Sequence, residues 1–151
     1  MNQEQIEKAK NDLKFAKTSL AKLPMLGPAL WLYGRDELRK FTFVGDLDWL
    51  LLPPLVLDQC RLYTKNELPS AFITWACVND DIDTRLRNGG RLAPHEWKSG
   101  EHAWLIDVVS PFSDSDEAIK ELLTTVFKDK PLVNSVQRKA AGPSDIKTWH
   151  A

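Results

Sequence analysis

The sequence predicts an α/β (or α+β) domain with a mixed sheet flanked by helices, and three observations predict it. A helical N-terminal third gives way to alternating strand and helix patterns. The apolar runs in that second part are short and rich in β-branched and aromatic residues, as strands are. The segments between them carry Asn, Gly and Pro, the residues that stop helices and make turns.

In chain order, residues 2 to 23 read as a charged helix. Ile6, Ala9, Leu13, Ala16, Leu20 and Leu23 recur at three- and four-residue steps and form one apolar stripe, for the core or for a second subunit. The Leu23-Pro24 step ends it. The apolar segment Leu26 to Tyr33 is expected to be a helix starting at Pro28, because proline suits a first helical turn. Gln59–Thr64 and Ala71–Val78 read as a hairpin, with Lys65 to Ser70 as the turn. Asp80 to Arg87 is a short helix, capped by Asn79 or Asp80 and stopped by Asn88-Gly89-Gly90. Ala103 to Val109 is a buried strand. A helix follows to about Phe127, capped by Ser113 or Ser115, with acids near its positive end. Leu132 to Lys139 is the last expected strand, and the polar stretch after Gly142-Pro143 is expected to be loose.

Composition bounds the function. With 151 residues, 43% hydrophobic and 27% charged, the chain has the make-up of one folded domain. A net charge of −1 argues against a dedicated nucleic-acid binder. Cys60 and Cys77 lack metal-ligand spacing, and neither a signal peptide nor an apolar run of membrane length is visible. The expected location is the cytoplasm, with no membrane span and no metal.

One acid stands inside the buried strand. Alternation would put Leu105, Asp107 and Val109 on one face, and Trp104, Ile106 and Val108 on the other. An unpaired buried carboxylate is costly, so Asp107 is either satisfied by a neighbouring Arg or amide, or held as a catalytic acid/base. His95 and His102, in the loop and at the strand entrance, read first as surface histidines. The six tryptophans are most simply core and interface anchors.

Trp97-Lys98-Ser99-Gly100, Trp104-Leu105-Ile106-Asp107 and Pro111-Phe112 together resemble the signature of the RTX toxin-activating lysine acyltransferases, the hemolysin-activator family. Leu26 to Leu32, Leu52-Pro53, Leu62-Tyr63-Thr64 and Pro69 to Ala76 fall in matching order. This divides the chain into a helical extension at 1–24, an acyltransferase-like domain at 25–140 and a polar tail at 141–151.

The resemblance implies an N-acetyltransferase-like fold, a homodimer, and transfer of a fatty acyl group from acyl carrier protein to the ε-amine of internal lysines of an RTX-type pro-toxin, or else of a non-toxin peptide or protein. Acyl carrier protein would be a co-substrate, with no bound cofactor. It also implies a catalytic pair, a His in the early segment and an Asp in the later strand. Asp107 matches the Asp. Arg39, within Leu38-Arg39-Lys40-Phe41, stands at the position of the His. Arginine stays protonated and cannot serve as a general base, and losing a base typically costs about 10²–10⁴-fold. Three explanations stay open. His95 or His102 fills the vacancy, Asp107 works unaided, or the protein binds without transferring.

The helix start after Pro111-Phe112 is acidic and lacks glycine, which suits a donor without a pyrophosphate. Acyl carrier protein is itself acidic. Arg85, Arg87 and Arg91 form one candidate patch for it, and Arg35, Arg39 and Lys40 another. Trp75 or Trp104 would line an acyl groove.

Overall fold

The computed structural model describes residues 2–21 and 23–150, with side chains except those of residues 15, 16, 18–21 and 23. Five strands form one sheet in the order β1-β2-β3-β4-β5: β1 Cys60–Lys65, β2 Leu68–Val78, β3 His102–Val109, β4 Leu132–Gln137 and β5 Asp145–His150. Every neighbouring pair is antiparallel except β3–β4, which is parallel. Six helices accompany it among the described residues: α1 Gln3–Ala21, α2 Leu23–Tyr33, α3 Leu47–Leu50, α4 Leu52–Val56, α5 Asp80–Arg87 and α6 Asp116–Thr124.

Helix α1 carries the expected stripe only in part toward a partner. Ile6 is half-buried, while Ala9 and Leu13 face solvent. The burial of Ala16, Leu20 and Leu23 lies outside the described residues. Helix α2 begins five residues before the expected start at Pro28 and holds that proline inside it. Burial of Ala29, Leu32 and Tyr33 against the sheet outweighs the backbone bond that an internal proline forfeits.

The hairpin turn is tighter than expected. Asn66 and Glu67 both have positive φ, 53° and 68°, as the two central residues of a type I′ turn require. Pro69 then falls in β2 at a register shift opposite Tyr63 and Thr64. Helix α5 follows its sequence signals: the Asn79 side chain accepts from the Ile82 amide, and Gly89 takes φ 83° just past the end. At α6 the expected serine caps give way to Asp114, whose Oδ1 accepts from the Asp116 amide at 2.6 Å. Ser115 makes no side-chain cap bond, and α6 stops at Thr124, short of Phe127. The C-terminal segment, expected to be loose, is β5, fully paired with β4 from Leu132↔His150 to Gln137↔Asp145.

Two layers of core sit on the sheet. Helix α6 packs Ile119, Leu122 and Leu123 on Ile73, Trp75, Ala103, Leu105 and Val133. Helices α2 to α5 cover the other face, over Phe72, Ala76, Val78, Trp104 and Val109.

One irregularity positions the site. Trp75 pairs with Leu105, but Thr74 pairs with Asp107, so Ile106 is an extra residue in β3. The bulge reverses the facing order. Leu105 and Val108 lie toward α6, whereas Asp107 and Val109 lie toward α2. Asp107 therefore does not share a face with Leu105, contrary to simple alternation.

Candidate active site

Strands β3 and β4 pair only at Trp104↔Asn134 and Leu105↔Ser135. Past that point β3 continues on β2 and β4 continues on β5, so the sheet forks at the bulge. Asp107 sits just beyond the fork and is fully buried.

Three elements bring partners to its carboxylate. Tyr33, the last residue of α2, donates its hydroxyl to Oδ2 at 2.5 Å. Arg39, in a 3₁₀ turn at Arg39–Phe41, donates Nε–H to Oδ1 at 2.5 Å. Arg138, just past β4, brings Nη2 to 3.7 Å from Oδ2. Asp36 sets the turn: its Oδ1 accepts from the amides of Leu38 and Arg39, and its Oδ2 from Arg39 Nη1 at 3.1 Å.

The electrostatics follow from this packing. Burial, then the charge and hydrogen bond of Asp107, push the Tyr33 hydroxyl well above the usual tyrosine range. Burial works against the Arg39 charge, but Asp107 and Asp36 outweigh it and hold the guanidinium above its ordinary value. Burial would also raise Asp36, yet the Arg39 amide and guanidinium bring it below the usual carboxylate range. Arg39 thus stays a cation. A carboxylate has about four lone-pair sites, so two strong bonds leave Asp107 able to accept from an incoming N–H.

Two clefts open on either side of the fork, and both are lined by Val136 and Arg138. The one on the α3–α5 side holds about 320 Å³ and is lined by Trp49, Leu86, Gly90, Arg91, Ile106 and Lys139 among others. The one on the α6 side holds about 310 Å³ and includes Arg39, Val108, Asp116, Ser135, Lys147 and Trp149.

The structure thus brings Asp107 and Arg39 together. It sets His102 at the opposite end of β3, where Nε2 meets Asp80 Oδ1 at 2.6 Å. Five residues of strand separate it from Asp107, roughly 16 Å at the usual rise. His95 is exposed in the 3₁₀ turn Pro94–Glu96. Arg85 and Arg87 pair with Glu96 and Asp83. Arg91 instead lays its guanidinium over Trp49, 4.7 Å from the ring centre. Arg35 lies over Trp31, and Lys40 pairs with Glu37. Trp75 and Trp104 are core residues away from both clefts, Trp75 edge-on to Phe127 and Trp104 bonded through Nε1 to Asp83. The Trp-x-Ser-Gly piece is a stitch. The Trp97 carbonyl accepts from Cys77 and Gln59, Ser99 and Gly100 donate to the Cys77 carbonyl, and a Cβ on Gly100 would meet Val78 O at 2.5 Å.

Sequence reasoning missed Tyr33, Asp36 and Arg138. Tyr33 was hidden in an apolar run, although a hydroxyl there signals a buried partner. Asp36 carried the Asp-x-x-Arg spacing of a side-chain-closed turn. Arg138 gave no local signal. Among the described residues, no cluster of His, Cys, Asp and Glu could hold a metal. No helix of theirs is long and apolar enough to cross a membrane.

Fold and site together define a mixed α/β protein with a buried carboxylate at a forked parallel strand pair. The model of the RTX toxin acyltransferase family matches residues 18–150, and the chain belongs to that family. It is 30% identical over 99 residues to a leukotoxin-activating lysine-acyltransferase of Mannheimia haemolytica, covering 65% of this chain and 59% of that protein. It is 33% identical over 92 residues to an RTX-III toxin-activating lysine-acyltransferase of Actinobacillus pleuropneumoniae, covering 60% and 53%. A protein-lysine myristoyltransferase of Kingella kingae is 28% identical over 124 residues, covering 82% and 73%. The aligned chain spans somewhat over half the length of the first two.

Proposed function

We propose that this protein is a protein-lysine acyltransferase. It moves a fatty acyl group from acyl carrier protein to the ε-amine of lysines in an RTX-type pro-toxin. The observation that carries the reading is the family match over residues 18–150, with Asp107 buried at the fork where two substrates can meet from opposite faces. The reading includes an N-acetyltransferase-like use of the sheet, a cytoplasmic homodimer and no bound cofactor.

The chemistry forms one C–N bond and breaks one C–S bond. The amine nitrogen attacks the thioester carbonyl carbon, and the thiolate leaves and is protonated. Asp107 orients the attacking amine, and backbone amides at the fork polarise the carbonyl. Arg39 accepts no proton. Its ion pair fixes the Asp107 carboxylate in place, and the amine proton passes to Asp107 or to water. His95 and His102 take no part. The acyl chain lies in the fork rather than beside Trp75 or Trp104. Arg85 with Arg87, and Arg35 with Lys40, receive the acidic carrier protein.

The Arg39–Asp107 ion pair favours a second reading, a silent relative that binds acyl carrier protein or a toxin without transfer. Thiol release from acyl carrier protein loaded with medium- and long-chain acyl groups separates the two, with a lysine-containing acceptor present. Turnover that Asp107→Asn abolishes, and Arg39→His raises, supports the enzyme. Saturable carrier binding without turnover on a native pro-toxin supports the silent binder. Neither turnover nor binding overturns both.

A further inference from the structure

Asp107 projects to the α2 side of the sheet, the same side as the 320 Å³ cleft. Asp107 itself lines neither cleft, and Arg138, 3.7 Å from its Oδ2, opens onto this one. The mouth has an apolar floor of Leu50, Leu86, Ile106 and Val136, with the Trp49 indole at one wall. Its charged lining is wholly basic: Arg91, Arg138 and Lys139. Arg91 is spread on Trp49 and makes no side-chain ion pair among the described residues. Arg138 touches Asp107 only at 3.7 Å. Lys139 meets Asp145 at 2.9 Å, a half-exposed pair that an incoming carboxylate can replace at little cost. The Gly89-Gly90 turn keeps the rim low, since a Cβ on Gly90 would collide with the Arg85 side chain at 2.4 Å. The other mouth differs, for Asp116 sits among its cations.

We propose that this cleft is the acceptor mouth, and that it selects lysines carried in acidic segments with apolar residues beside them. The proposal rests on the acyltransferase reading for its chemistry, not for its binding. Acidic side chains flanking the lysine meet Arg91 and Lys139 at the rim, and apolar neighbours cover the floor. The same cations disfavour an ammonium and so favour the neutral, attacking amine at a site whose family base is replaced by Arg39.

Peptide binding to the full chain tests it. Labelled peptides share one central lysine and one set of apolar residues, with acidic, neutral or basic flanks. The acidic peptide is expected to bind about five- to tenfold tighter than the neutral one, with the preference fading as salt rises. Arg91→Glu with Lys139→Glu is expected to reverse the order of acidic and basic peptides, and Lys139→Glu alone to weaken the acidic peptide while carrier-protein binding stays unchanged. Equal binding of all three peptides overturns the proposal. So does a double variant that loses carrier protein and keeps the peptide order, because the cleft is then the donor's. Transfer assays on the same peptides separate the two ideas. Acylation without regard to flanks sinks the acceptor mouth and keeps the enzyme. Selective binding without acylation by any donor sinks the enzyme and keeps the mouth.

Discussion

Two tyrosine–arginine–carboxylate clusters in this molecule use nearly the same bonds in different surroundings. At the fork, Tyr33 and Arg39 hold Asp107, both at 2.5 Å. On the α6 side, Tyr63 and Arg61 hold Glu121, at 2.5 and 2.6 Å. The side chains of Arg39 and Asp107 are 8% and 0% exposed, whereas those of Arg61 and Glu121 are 36% and 42% exposed. Hydrogen-bond length therefore says little about what each cluster contributes. In the buried one, any lost partner leaves a charge with no water to take its place. In the exposed one, water replaces whatever is removed.

The largest effect should come from breaking one ion pair in each. Arg39→Ala strands the buried Asp107 and is expected to cost about 3–5 kcal/mol. Arg61→Ala is expected to cost only about 0.2–1 kcal/mol. Urea unfolding midpoints measure both, and equal losses would show that the fork is wetter than its burial implies.

A smaller effect separates the tyrosines. Tyr33→Phe removes a bond to a buried charge, worth about 1.5–3 kcal/mol, and Tyr63→Phe should cost less because Glu121 is partly solvated. The pH dependence sharpens this. Tyr33 titrates well above its unfolded value of about 10, so folding favours the neutral phenol. That stability is complete below about pH 10 and is lost as pH rises through the folded value. Tyr33→Phe should flatten the alkaline limb of a stability–pH curve. Burial and Glu121 also raise Tyr63, and its weaker share of the limb should survive in the Tyr33 variant.

The smallest test concerns completeness. Thr74 lies opposite Asp107, and its buried Oγ1 has no partner among the described residues. Thr74→Val keeps the shape and removes the orphan hydroxyl, so a gain of about 1 kcal/mol is expected by thermal or urea unfolding. A loss would mean that the hydroxyl serves the site.

What the sequence revealed, and what it hid, follows the range of the forces involved. The Asp107 strand was legible because length, β-branching and flanking turn residues are local. So was α5, whose Asn79 cap and Gly89 stop are single-residue signals. The facing order of β3 was not, because a bulge answers to the pairing of Thr74 and Trp75 on another strand. Strand β5 escaped notice because it is exposed along most of its length and carries no apolar alternation. Helix α2 starts ahead of the proline that local chemistry favours in a first turn, because burial of its inner face, a long-range effect, outweighs it. Of the buried cluster, Asp107 and Arg39 were nameable from the family signature. Tyr33, Asp36 and Arg138 were not, because turn closure and strand crossing assemble them.

The extra residue in β3 makes strand pairing as decisive here as residue type. Deleting Ile106 would change no neighbouring side chain's identity, and an alignment would score it as one small gap. It would remove the bulge yet leave Asp107 toward Tyr33 and Val108 toward α6, because alternation from Leu105 puts the next residue on the α2 side. Straightening the strand with Ile106 kept in the pairing would instead turn the acid toward α6, away from its arginine, and set Val108 toward Arg39. Relatives and designed variants of this protein should therefore be compared by how Leu105 to Asp107 pair with Trp75 and Thr74 before they are compared by what those residues are.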